Sequence, residues 1–92
     1  MSLDFHHQMS VVMDILTNQQ LDCCGTVAEC EQLERLVKSL LTNDQITTEA
    51  KNVLVDVYEY SQHGKYHQNL DEHINQHQHD LSQWIEDIHQ LS

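Results

Sequence analysis

From Leu70 onward, seam positions recur at alternating intervals of four and three: Leu70, Ile74, His77, Leu81, Trp84, Ile88 and Leu91, with a histidine in the third place. On a helix these positions fall along one narrow stripe. The spacing therefore predicts a single long helix over the last third of the chain, buried along this stripe and interrupted at one point by an ionisable ring. The stretch from His63 to His79 is rich in His, Gln and Asn, but its apolar positions keep helical phase and it is not read as disordered; Lys65 to Gln68 form a linker within it.

The same period recurs upstream. Proline is absent, and the two glycines sit between periodic segments. A first helix is predicted from Leu3 to Gln20, capped by Ser2 or Asp4, with Phe5, Met9, Val12, Met13 and Leu16 on one face. After Gly25, Thr26 and Glu29 form a capping-box pattern that opens a second helix reaching Leu41, with Val27, Cys30, Leu33, Val37, Leu40 and Leu41 inward. Thr47 or Thr48 caps a third helix presenting Ala50, Val53, Leu54, Val57, Tyr58 and Ser61, and Gly64 stands where a left-handed C-terminal cap is expected. Asn69 and Glu72 form a capping pair for the fourth. Short connections between amphipathic helices favour antiparallel neighbours. The expected fold is all-α, one domain over residues 1–92, a small antiparallel four-helix bundle running up-down-up-down; the alternative is a three-helix core with the first helix mobile or swapped into a partner.

Charge narrows the functional classes. Fifteen Asp and Glu face four Lys and Arg, a formal net charge of -11. Arg35, Lys38, Lys51 and Lys65 are too scattered to form a stripe, so neither nucleic acid nor an anionic membrane surface is an expected partner. No apolar run approaches the ~20 residues that span a bilayer. The N-terminus lacks the basic start and apolar core of a secretory signal. Three cysteines, an odd number, fit a reducing compartment, and a cytoplasmic location is expected.

The block from Leu21 to Leu36, with Cys23-Cys24-Gly25 running into the Thr26–Glu29 capping box, resembles the YtzH-like family of small proteins from Bacillus-type bacteria. Tyr58-Glu59-Tyr60-Ser61-Gln62 and the His/Gln-rich stretch leading to Trp84 are similar to it as well, so the resemblance covers almost the whole chain. It implies no activity, ligand or active-site residue.

Histidines and cysteines are the candidates for chemistry. His73, His77 and Asp80 fall within about 60° of helix arc, a spread one metal ion could bridge. A closed zinc site needs four ligands, and the inward stripes of the first three helices offer only Cys30, with His6 at an edge. The plainer reading of His77 is a ring that hydrogen-bonds a carbonyl or carboxylate, or reaches solvent at the seam's edge. If it is buried and neutral, His77→Leu is expected to stabilise the fold at acidic pH. His63, His67 and His79 are expected at the surface. Cys23 and Cys24 precede a helix N-terminus, which favours thiolates, but Asp22, Glu29 and Glu31 oppose that effect and packing is the preferred role.

No nucleophile motif or phosphate-cradling loop is present, and neither catalysis nor a cofactor is expected. The leading expectation is a module that binds a protein partner or forms a homodimer. At ~1.5 Å per residue the ~21-residue fourth helix spans roughly 32 Å, so Trp84, Ile85, Ile88 and Leu91 are expected to project as an interface. The competing expectation is that the first helix covers that end. The alternative function is metal-binding or metal-responsive, using His73 and His77.

Overall fold

Five helices, not four, make up the described part of the computed structural model, which covers residues 5–22, 25–66 and 68–91, with only the backbone described for Phe5, Asp22 and Leu91. They are α1 (Phe5–Asp22), α2 (Val27–Leu41), α3 (Thr48–Tyr66), α4 (Leu70–Gln76) and α5 (Gln78–Leu91). The capping residues define the starts as the sequence requires. Thr26 Oγ1 accepts the backbone N–H of Glu29 while Glu29 Oε1 accepts that of Thr26, each at 3.1 Å, closing the box. Thr47 Oγ1 accepts from Ala50 N at 3.2 Å, and Asn69 Oδ1 from Glu72 N at 3.1 Å.

The expected fourth helix divides at His77, whose backbone turns out of helical geometry (φ -106°, ψ 15°). The division has a local cause. In an unbroken helix the carbonyl of His73 would accept the N–H of His77. Here the His77 ring takes that carbonyl, Nδ1 to O at 2.8 Å, and the His77 N–H shortens its reach to Ile74 O at 3.1 Å. The helix resumes with Leu81 N donating to His77 O at 2.7 Å.

The columns nevertheless alternate in direction, with α4 and α5 as a divided fourth. Gln8 reaches Ser39 across α1 and α2, Lys65 reaches Glu34 across α2 and α3, and Gln20 donates to Ser82 across α1 and α5. The first pair joins an early residue of α1 to a late one of α2, and the third a late residue of α1 to an early one of α5. Lys65 meets Glu34 at the middle of α2, while Gly64, late in α3, faces Cys30, early in α2. The core runs between them: Met9, Val12, Ile15 and Leu16 from α1, Leu33, Val37 and Leu40 from α2, Leu54, Val57 and Tyr60 from α3, and Ile74, Leu81, Trp84 and Ile88 from the last two helices. Each such aliphatic side chain removed from water contributes about 1.5–3 kcal/mol. Ile46, the apolar residue of the polar connection between α2 and α3, is also buried.

Several expectations are corrected. α1 covers the far end of α5, so Trp84 (9 % exposed) and Ile88 (1 %) belong to the core and do not project. Val27, at the first position of α2, is 46 % exposed and not inward as expected. Tyr60 takes the interior place foreseen for Tyr58, which is half-buried. Gly64 does not end α3, which continues to Tyr66. It lets α2 and α4 approach instead: a Cβ there would stand 3.1 Å from Cys30 Sγ and His73 Cδ2 and 3.2 Å from Leu70 Cδ1. Among the described residues, no helix is long and apolar enough to cross a membrane.

Candidate functional site

Beneath the helix break lies a buried polar cluster that no sequence pattern announced. The Tyr60 hydroxyl donates to Gln19 Oε1 at 2.7 Å, and His73 Nε2 lies 3.1 Å from the Tyr60 carbonyl oxygen. A carbonyl only accepts, so Nε2 carries the proton. The His73 ring stacks on Tyr60, centroids 4.8 Å apart and planes 18° apart, and Trp84 meets Tyr60 edge-on at 5.4 Å. Gln19 occupies the α1 stripe three residues beyond Leu16, and helical phase was the signal that could have found it.

The electrostatics of this cluster disfavour charge. Burial, more than the neighbouring Cys30 and Glu29, pushes the Tyr60 phenol far above its ordinary value of 10.0. Burial and then Glu29 push the Cys30 thiol up from 9.0; the Gln19 amide opposes them, close enough to act on the sulfur but without a hydrogen bond to it. Cys30 is a buried free thiol in this setting, held neutral and unreactive. Cys23 and Cys24 lie outside the described residues, as does His67.

The predicted metal residues are only partly brought together. His73 and His77 are close, ring centroids 4.4 Å apart, but it is His73 that is buried (3 % exposed), while His77 is half-buried. His77 and Asp80 line an α3–α5 cleft of about 350 Å³ with Asp56, Glu59, His63 and Trp84, and His73 is not part of that lining. His63, His79 and Asp80 are exposed. Among the described residues, no group of three or more His, Cys, Asp or Glu side chains is placed to hold a metal ion.

A second depression lies between α1 and α5. It encloses about 460 Å³ and is lined by Met13, Asp14, Thr17 and Gln20 from α1 and by Ser82, Ile85, Glu86 and His89 from α5. Met13 and Ile85 are half-buried against the core, which leaves apolar surface open to the groove. Of the four residues expected to form an interface, Ile85 lines this groove, Trp84 and Ile88 lie in the core, and the side chain of Leu91 is outside the described set. Asp14, Thr17 and Leu21 are spaced by three and four on one face of α1, and Leu21 is 74 % exposed. Thr17 and Gln20 were not singled out from the sequence, and Met13 was placed only on the apolar face of the first helix, because a groove belongs to two helices and neither shows it alone.

The chain is 53 % identical to a Bacillus subtilis (strain 168) protein described as "Uncharacterized protein YtzH", over 92 residues that make up 100 % of each chain. No solved structure matches. A family model described as "YtzH-like protein" matches residues 3–88, the span that holds the Thr26–Glu29 capping box, the Asn69 cap, the buried cluster and the groove lining except His89. The chain belongs to the YtzH-like family.

Proposed function

We propose that this protein is a non-catalytic interaction module that docks another protein on the groove between α1 and α5. The observation that carries the reading is apolar surface left open in a concave site: Met13 and Ile85 line the groove, and Leu21 stands 74 % exposed one turn beyond Thr17. An exposed leucine alone is ordinary, whereas apolar side chains meeting in a cleft are the usual core of a docking site. The titratable groups of the interior support the same reading, since His73 and Tyr60 are engaged in holding helices together. The metal-responsive alternative keeps His77 and Asp80 in one cleft whose lining does not include His73, although the His73 ring lies 4.4 Å from that of His77.

A photo-crosslinking residue placed at exposed Ser82, on the groove, and at exposed Asn52, on α3, tests the reading inside the native cell. A discrete adduct from position 82 and none from 52 is expected. Adducts of equal yield from both positions, or none from 82, would overturn it.

A further inference from the structure

Resting on that reading, we infer that the groove's occupant is a cationic segment of another protein, with one apolar side chain inserted between Met13 and Ile85 and Lys or Arg flanking it. The partner's chemistry follows from how charge is distributed over the bundle. All four Lys and Arg lie on α2 and α3: Arg35, Lys38, Lys51 and Lys65. The helices α1, α4 and α5 carry none, yet hold two, two and three carboxylates respectively. The two helices that form the groove are therefore without a basic side chain other than histidine, and Asp14 and Glu86 stand on its opposite walls. Neither helix puts a Lys or Arg beside these carboxylates, and the one imidazole of the lining is His89, so an incoming ammonium or guanidinium meets a field of predominantly negative sign. A second copy of this chain would bring the same sign of charge to the same site, within the ~8–10 Å over which it acts at physiological salt. The groove thus selects against self-association and for a basic partner, with the apolar contact giving register and the carboxylates giving sign.

The test uses the full chain, labelled for amide NMR, titrated with a 15-residue amphipathic helix of leucine and lysine, and separately with equivalents of leucine and glutamate and of leucine and glutamine. The lysine peptide should shift the amides of Met13, Thr17, Ser82 and Ile85, and affinity should fall steeply with added salt. The double variant Asp14→Lys/Glu86→Lys should weaken binding about tenfold or more. A double variant of equal charge change on the other helices, Glu31→Lys/Glu49→Lys, should weaken it no more than about twofold. Both reversals weakening it equally would overturn the inference, by showing attraction to overall charge. Equal binding of the glutamine peptide in the groove would overturn it too, while leaving a docking surface of another preference. Concentration-dependent shifts of these amides without peptide would identify a second copy as the occupant. An absence of groove shifts with all three peptides contradicts the inference, and the crosslinking from Ser82 then decides separately whether the docking reading survives.

Discussion

Gly64 offers a direct measure of how tightly the divided helix is held. A Cβ at this position would lie 3.1 Å from Cys30 Sγ on α2, 3.1 Å from His73 Cδ2 and 3.2 Å from Leu70 Cδ1 on α4. Alanine inside a helix is better than glycine by about 1 kcal/mol, and a Gly64→Ala change anywhere roomy would stabilise. Against this, an added methyl group in a packed interior costs about 1–3 kcal/mol. Three contacts below ordinary van der Waals distance, from two elements that Gly64 lets come close, place the cost above the gain. The net loss is about 1 kcal/mol, or a Tm lower by about 4–8 °C for a domain of this size. Cys30→Ala removes one of the three obstacles, so the two changes should couple: in the double variant the loss from Gly64→Ala should shrink by about 1 kcal/mol. Thermal melts of the four proteins measure this. A Gly64→Ala protein that melts higher, or two changes that simply add, would refute the close-approach role.

The remaining predictions concern the polar interior and the helix break. Tyr60→Phe leaves Gln19 with both amide atoms buried and unpartnered, since Nε2 already lacks a hydrogen bond; a loss of about 1–3 kcal/mol is expected in denaturant melts, partly recovered by adding Gln19→Leu. Tyr60 and Cys30 both titrate higher in the folded chain than their ordinary values of 10.0 and 9.0. Above those values the unfolded chain has released protons that the folded chain keeps, so stability is full below pH 9 and falls as pH rises, by about 1.4 kcal/mol per unit for each group. Tyr60→Phe should remove the part of that slope above pH 10, which melts across the alkaline range would show. The acid stabilisation expected of His77→Leu is conditional on a buried ring, and His77 is half-buried. At pH 7 the change should cost about 1 kcal/mol, because it removes the ring N–H from the His73 carbonyl; a raised Tm at that pH would contradict this.

Local rules were readable in the residues and relational ones were not. The Thr26–Glu29 box and the Asn69 cap depend on groups three residues apart, and the Ile74, Leu81, Trp84 and Ile88 stripe depends only on helical phase. The break at His77 could not be read that way. A ring and a backbone N–H compete there for one carbonyl, and both outcomes suit the same sequence. Nor could the choice of His73 over His77 for the interior, where the His73 ring stacks on Tyr60 and bonds its carbonyl. Gly64 carries no sign of whether it ends a helix or admits a neighbour until Cys30 and His73 are placed beside it. The candidate groove was legible at Ile85 alone, because its other wall comes from α1 and the projection expected of α5 assumed that α1 did not reach so far.

Within α5, Trp84 and Ile88 belong to the core, whereas Ile85, half-buried against it, lines the groove. The most direct test is the yield of the Ser82 crosslink in an Ile85→Asp protein whose melting curve is recorded alongside. The prediction is loss of the adduct with a Tm within a few degrees of the parent, since Ile85 is only half-buried. An undiminished adduct from a folded Ile85→Asp protein would contradict the central claim.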